Sequence, residues 1–160
     1  MLLKKRFGAL GSRKLPKKER FQRCTDVASD IIVEIICKEP IRSVCIEDMQ
    51  TSPRGNANEI NWLHALVMDR LDGCLGDFPI FPSPTQVKKF AVGRGGSARD
   101  PVGKQEVMDC VLKLWGERFD DDNIADAYVL ARIGMALRGA NDWTLSEAQE
   151  AVLKQLIGAK

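Results

Sequence analysis

The sequence predicts a single α/β domain in which helices alternate with short strands. Apolar residues recur at helical spacing in several segments, most clearly over residues 21–36. Two short runs, 43–48 and 78–81, are rich in β-branched or aromatic residues and favour strands. A chain of 160 residues is long enough to bury one hydrophobic core. We therefore expect one domain with a central sheet.

The first half of the chain supplies the predicted strands. In order, we expect a strand at 2–10, a helix from Pro16 to about Lys38, a strand at 43–48, a helix from about Ala57 to Leu71 and a strand at 78–81. Glu47 stands near the carboxyl end of the second strand, which reads as a central one. Prolines flank the third strand and favour an edge position, because proline lacks a backbone N–H.

The second half of the sequence predicts four helices. They are expected to begin at Pro84, at Asp100-Pro101, at Asp120 or Asp121, and near Thr144. Ser83 is a typical N-cap before a proline at the first helical position. The pattern Thr144-x-x-Glu147 fits a capping box. The last helix is expected to end at Gly158.

The helix after Asp121 carries an unusual pattern of charge. Asp126 lies in an otherwise apolar stretch, where a carboxylate is costly unless it is paired or binds a metal. Asp122 and Asn123 precede it by four and three residues, so they can share its helix face. Such an oxygen-rich face suits magnesium. The alternative is a capped helix start in which an arginine pairs with Asp126.

Positive charge is concentrated at the start of the sequence. The net charge is +2, but residues 1–23 hold nine Lys or Arg against one Glu, a surplus of eight positive charges. The remaining residues therefore carry −6. A basic segment beside an acidic remainder fits a polyanionic partner and metal-binding carboxylates. A solubilising terminus without a partner is the alternative.

Several classes of protein are excluded by composition. No apolar run approaches the roughly 18 residues of a membrane span, and charges follow Met1 to Leu3 at once, unlike a signal peptide. The five cysteines are odd in number and widely spaced, which indicates reduced thiols in a cytoplasmic protein. One histidine and no C-x-x-C pair argue against a zinc site or a His-dependent nucleophile.

Four segments of the chain, in order, carry a resemblance to a known family. They are Val44-Cys45-Ile46-Glu47-Asp48, Pro84-Thr85-Gln86-Val87-Lys88-Lys89-Phe90-Ala91-Val92-Gly93, Lys104-x-x-Val107 and Asp122-Asn123-Ile124-Ala125-Asp126-Ala127. Together they resemble the RuvC-type Holliday junction resolvases of bacteria and phages. The resemblance implies an RNase H-like fold, a mixed sheet flanked by helices, over residues 1–140. Residues 141–160 would add a C-terminal helix to the same domain.

The resemblance also implies an activity and a set of catalytic residues. Its members are magnesium-dependent endonucleases that resolve four-way or branched DNA junctions, as homodimers, by paired phosphodiester hydrolysis. Glu47 matches the family's strand-end glutamate and Asp126 its last catalytic aspartate. Asp122 and Asn123 would complete the metal ligands, and Lys104 matches a lysine implicated in catalysis. Two magnesium ions are expected, for which manganese could substitute.

Basic residues near these acids are predicted DNA contacts. Lys88 and Lys104 match lysines near the family's site, and Lys89 follows Lys88 directly. Arg54 and Arg94 lie in polar, glycine-containing loops. Lysine and arginine at such places hold the phosphate backbone of DNA.

The sequence departs from the family at two places. Asn123 stands where the family usually has Asp or His, so it brings no charge, and Asp122 could supply that charge instead. No acid precedes Glu19, so the first catalytic aspartate and the N-terminal strand that carries it have no counterpart. The true protein starts upstream, or another segment supplies the acid, or the chain is a catalytically impaired relative that binds junction DNA.

Overall fold

Six helices make up most of the part of the chain that the computed structural model describes, residues 15–36, 43–48, 57–72 and 79–158. They are α1 (Lys17–Ile36), α2 (Ala57–Asp72), α3 (Pro84–Val92), α4 (Lys104–Trp115), α5 (Asp122–Leu137) and α6 (Glu147–Gly158). The chain forms two compact units, one that contains α1 and α2 and one that contains 43–48 and 80–158. No described helix is long and apolar enough to cross a membrane.

In the first unit, α1 and α2 pack against each other along an apolar face. The buried apolar residues recur at helical spacing: Cys24, Ala28, Ile32, Val67 and Leu71. Glu59 is also buried, and its carboxylate pairs with the guanidinium of Arg20. Burial of an unpaired carboxylate would be costly, so this pair permits the packing. The two helices predicted in this region are confirmed, with ends that differ by one or two residues.

In the second unit, helices α3 to α6 share one hydrophobic core. Its buried members include Val87, Phe90, Val107, Val111, Val129, Ile133, Val152 and Leu153. The helix α3 starts as predicted, with Ser83 as N-cap and Pro84 at the first position, and it ends at Gly93 in the left-handed region at φ 91°. The helix α6 belongs to this unit and packs against α3 and α5. The division into residues 1–140 and 141–160 stays a prediction.

The starts of α4 and α5 differ in how well the sequence predicted them. Asp121 is the N-cap of α5, where its carboxylate accepts from the backbone N–H of Asn123 at 2.9 Å, so one of the two predicted caps is confirmed. The prediction that α4 starts at Asp100-Pro101 is wrong. That helix begins at Lys104, and its N-cap Gly103 offers no side chain to the free N–H groups.

The start of α6 lies later than the sequence predicted. The side chain of Ser146 accepts from the backbone N–H of Gln149 at 3.3 Å, and the side chain of Gln149 accepts from the backbone N–H of Ser146 at 3.0 Å. This reciprocal pair is a capping box, so the prediction of Thr144 as the cap is wrong. Gln149 also donates to the carbonyl of Phe90 at 3.1 Å. That bond ties α6 to α3.

The predicted α/β class, with an RNase H-like mixed sheet, is wrong for the residues that the structure describes. The predicted strands 43–48 and 78–81 give, in their described parts, extended segments joined by one parallel bridge between Cys45 and Ile80. Three backbone hydrogen bonds of 3.0 Å connect the segments: Ile46 N to Ile80 O, Ile80 N to Val44 O, and Asp48 N to Pro82 O. The strand predicted at residues 2–10 lies outside the described residues.

Proline chemistry explains why this pairing stays short. Pro82, two residues after Ile80, lacks the N–H group that would donate to the Ile46 carbonyl and continue the ladder. Pro84 then starts α3, which ends the extended conformation. Among the described residues, the pairing of the two segments therefore consists of the one bridge and its three hydrogen bonds.

Gly134 brings α5 close to the extended segment 43–48. A Cβ built at Gly134 would lie 3.5 Å from the Ser43 hydroxyl oxygen and 3.6 Å from the Cys45 Cβ, which is ordinary contact distance. The backbone of α5 thus packs directly on this segment. Because the segment carries Glu47 and the same helix carries Asp126, this packing places both acids in one region of the second unit.

Candidate active site

Glu47 and Asp126, the carboxylate pair, come from the extended segment and from α5. Both residues are half-buried. Burial raises the pKa of Glu47 above its usual value, and the negative charge of Asp126 raises it further. Burial also raises the pKa of Asp126, and the charge of Asp122 adds to that effect. Two partly desolvated like charges are unfavourable together, so this place favours a cation or a proton.

Lys88 of α3 supplies positive charge to the carboxylate pair. Its ammonium group lowers the pKa of both Glu47 and Asp126 and opposes the effect of burial. Lys88 is therefore close enough to both acids to act on them electrostatically. Lys89, the next residue of α3, makes no side-chain hydrogen bond or ion pair within the described part of the chain.

Lys104 and Asp122 form an ion pair beside the carboxylate pair. The ammonium of Lys104, at the first position of α4, donates to the Asp122 carboxylate at the first position of α5. This hydrogen bond and the charge of Asp122 raise the pKa of Lys104. The charge of Lys104 in turn lowers the pKa of Asp126. The pair thus links the two helix starts next to the predicted catalytic acids.

Asn123 takes part in the cap of α5. Its side-chain amide donates to the Asp121 carboxylate at 3.1 Å, and its backbone N–H donates to the same oxygen at 2.9 Å. The amide nitrogen of Asn123 is therefore engaged at the helix start. Its role as a metal ligand stays a prediction.

The two arginines that the sequence predicted as DNA contacts have different positions. Arg54 lies outside the described residues. Arg94 lies just after α3, where one terminal nitrogen donates to both carboxylate oxygens of Glu106 at 2.9 Å. The other terminal nitrogen donates to the Asp100 carboxylate at 2.8 Å. Contacts within the chain therefore engage both ends of this guanidinium.

The donor set of the carboxylate pair limits what it can bind. Among the residues that the structure describes, no group of three or more His, Cys, Asp or Glu side chains could hold a metal ion. Glu47 and Asp126 offer two carboxylates. Magnesium is commonly held by one or two carboxylates, with water and substrate phosphate as its other ligands. Two carboxylates are within that number, and the binding of magnesium by the pair stays a prediction.

Sequence reasoning missed two residues near this site, Asp100 and Glu106. Both lie shortly after Arg94 in the chain, at six and twelve residues, and their opposite charge was the signal that could have found them. The sequence placed Asp100 at a helix start, whereas its carboxylate faces Arg94. A basic residue followed by two acids can pair locally, and this loop does so.

Solved structures resemble this chain over most of its length. Thermus thermophilus RuvC in complex with a Holliday junction substrate matches with a TM-score of 0.57 and 25% identity, over 81% of this chain and 76% of that chain. The chain has a RuvC-like fold. A second Thermus thermophilus RuvC structure matches with a TM-score of 0.50 and 23% identity.

The match to RuvC is partial in length. In the second structure it covers 75% of this chain and 66% of the RuvC chain, slightly under two thirds of the latter. No protein-family model and no curated protein matches the sequence. The RuvC-like fold therefore rests on the structural likeness.

Proposed function

We propose that this chain is an endodeoxyribonuclease that cleaves four-way or branched DNA junctions, with the carboxylate pair as its catalytic centre. The observation that carries the proposal is the electrostatic coupling of Glu47 to Asp126, with Lys88 beside both, in a RuvC-like fold. The solved RuvC with a comparable fold is in complex with a Holliday junction substrate. That likeness supports branched DNA as the substrate.

The residues of the site suit phosphodiester hydrolysis. A carboxylate with a raised pKa is a stronger base than usual, so Glu47 or Asp126 can accept a proton from an attacking water. Lys88 offsets the negative charge of the pair and can offer its ammonium group to the scissile phosphate. Lys104 is exposed at the start of α4 and can contact a neighbouring phosphate.

We propose magnesium as the cofactor, held by Glu47 and Asp126. A bound magnesium ion would lower the pKa of a water molecule and offset charge on the phosphate. The half-buried like charges of the pair support this choice, because a cation relieves their repulsion. Three points stay predictions. They are a second magnesium ion, metal binding by Asp122 and Asn123, and the replacement of magnesium by manganese.

Paired cleavage of a junction requires a catalytic centre for each of two strands. We therefore propose that two copies of the chain act on one junction. A homodimer predicts that nicks appear at symmetric positions on opposing strands.

Cleavage of a labelled synthetic junction tests the proposal. We expect the wild-type chain with magnesium to nick a four-way junction and to leave a linear duplex of the same sequence intact. Glu47→Gln and Asp126→Asn should each slow cleavage by about 10²- to 10⁴-fold, because each removes a group that accepts or orients the proton. Glu117→Gln, at an exposed carboxylate between α4 and α5, is the matched control. Full activity of both site variants would refute the assignment.

A second candidate function is junction binding without cleavage. The absence of a three-ligand metal group among the described residues favours it. Tight, junction-selective binding with no nicks at any magnesium concentration would select this second function over the first.

A further inference from the structure

The loop between α3 and α4 is closely packed, and this gives Arg94 a defined place. At Gly95, an added Cβ would lie 2.5 Å from the Thr85 methyl and 3.3 Å from the Thr85 carbonyl oxygen. Gly96 has φ +74°, and a Cβ there would lie 2.7 Å from the Val102 nitrogen. A side chain at Gly96 would meet the backbone in a strained conformation, and one at Gly95 would require the Thr85 methyl to move. The loop therefore holds Arg94 against the elements on both sides.

A turn within the loop adds to this order. The backbone N–H of Ser97 donates to the Asp100 carbonyl at 2.9 Å, and the Asp100 N–H donates to the Ser97 hydroxyl at 3.1 Å. Arg94 donates to the same Asp100 carbonyl at 3.3 Å and to its carboxylate at 2.8 Å. The turn thus presents Asp100 to one side of the guanidinium.

Glu106 occupies the other side of the guanidinium. It lies in the first turn of α4, and both of its carboxylate oxygens accept from one terminal nitrogen of Arg94. A planar guanidinium can bridge two carboxylates in this way, and a lysine ammonium cannot reproduce the geometry. Arg94, Asp100 and Glu106, which we call the latch, therefore connect the loop to the first turn of α4.

The start of α4 has no side-chain cap of its own. Its N-cap Gly103 makes no side-chain hydrogen bond. Its first residue, Lys104, places a positive charge where the helix dipole disfavours one. In this first turn, Val107 is buried in the core, and the ion pairs are the latch at Glu106 and the pair of Lys104 with Asp122. The latch therefore adds to the core contact of Val107 in holding the start of α4, which carries Lys104.

We propose that Arg94 is a positioning residue that, through Glu106 and Asp100, holds the start of α4 so that Lys104 lies beside Asp122 and Asp126. Arg94 does not bind DNA in this account, which differs from what its sequence context predicts. The inference rests on the proposed function, because Lys104 acts there on a DNA phosphate.

Glu106→Gln discriminates the two roles of Arg94. If Arg94 is a latch, Glu106→Gln and Arg94→Gln disturb the same contact, so each should lower the single-turnover cleavage rate by about 10- to 100-fold. Junction affinity should change by the same factor in both, because both displace Lys104, and the double variant should be no slower than either single variant. If Arg94 binds DNA, Arg94→Gln should weaken junction binding and lower its salt slope by about one. Glu106→Gln should then bind as tightly as wild type or more tightly.

Matched controls separate the latch from general effects of charge. Arg99→Gln removes a positive charge from the same loop at an exposed side chain that makes no ion pair with any described residue. Asp109→Asn removes a negative charge from an exposed position on α4. Both controls should cleave at the wild-type rate. A loss in Arg99→Gln equal to that in Arg94→Gln would overturn the latch.

Amide hydrogen exchange tests the latch without relying on DNA cleavage. Arg94→Gln and Glu106→Gln should both speed amide exchange in the first turn of α4, residues 104–108, while Arg99→Gln should not. If the wild type fails to cleave junctions but exchange rises as described, the proposed function falls and the structural latch stands. Unchanged exchange and unchanged cleavage in both latch variants would overturn the inference.

Discussion

Burial and like charge act in the same direction on Glu47 and Asp126, which makes the carboxylate pair unfavourable for the folded chain at neutral pH. Both acids have raised pKa values, and Lys88 offsets the effect only in part. Sites that sacrifice stability in this way are common where chemistry needs a perturbed group. The carboxylate pair therefore lowers the stability of the folded chain at neutral pH, and the same raised pKa values make its carboxylates stronger bases.

The raised pKa of Glu47 predicts how stability depends on pH. A carboxylate whose pKa is raised on folding stabilises the native state below its unfolded pKa of about 4.3. That contribution is lost as pH rises through the folded-state pKa. We therefore expect Glu47→Gln to melt at a higher temperature than wild type at pH 7 in EDTA, with a difference that vanishes below about pH 4.

Thermal melting across pH measures this effect. Glu117→Gln, at an exposed carboxylate, serves as the control and should follow the wild type at every pH. A Glu47→Gln variant that is less stable than wild type at pH 7 would show that the glutamate is stabilised in the fold, contrary to this account.

Asp126 and Arg94 differ in how well the sequence alone predicts their roles at the site. Asp126 is recognisable because a lone carboxylate in an apolar stretch requires a partner. Arg94 is harder to interpret, because an arginine in a glycine-rich loop suggests a free cation, and only the fold shows that Glu106 and Asp100 enclose it. Local sequence indicates charge, but the partner of a charge depends on the path of the chain.

At the scale of elements, the capping box of α6 also depends on a contact that local sequence does not reveal. Both Thr144-x-x-Glu147 and Ser146-x-x-Gln149 fit the pattern, so local sequence does not choose between them. The second is used because Gln149 also reaches the Phe90 carbonyl of α3. A tertiary contact thus decides the start of the helix.

Alanine substitution at the two candidate caps tests this assignment. Ser146→Ala should lower the free energy of unfolding by about 1 kcal/mol, because it removes the acceptor for a first-turn N–H group. Thr144→Ala should change it by less than about 0.5 kcal/mol, as an exposed position outside the cap. Urea unfolding measures both. A larger loss for Thr144→Ala than for Ser146→Ala would place the cap where the sequence alone suggested.

The extended segments show why the sheet was not predicted correctly. β-branched residues at 43–48 favour extended backbone, and they adopt it, but a strand needs a neighbour with free N–H groups. Pro82 has no N–H group, so that neighbour lacks the donor that would continue the pairing past Ile80. Local preference predicts conformation at these segments, and partner chemistry limits the pairing among the described residues to one bridge.

At the scale of the whole chain, the sequence predicted the helices and the resemblance to RuvC better than it predicted the sheet. Apolar residues at helical spacing predicted α1 and α2, and Ser83-Pro84 predicted the start of α3; all three helices are confirmed. Four short segments in order suggested a RuvC-like chain, and the structural match to RuvC supports that fold. The surplus of positive charge in residues 1–23 fits a DNA partner, which remains a proposal.

A double-mutant cycle on the carboxylate pair tests the central claim most directly. Single-turnover cleavage of a four-way junction with magnesium would be measured for wild type, Glu47→Gln, Asp126→Asn and the double variant. If the two acids form one catalytic centre, each single change removes most of the rate and the double variant is no slower than the slower single one. Independent, multiplicative losses, or cleavage that survives in the double variant, would contradict the claim.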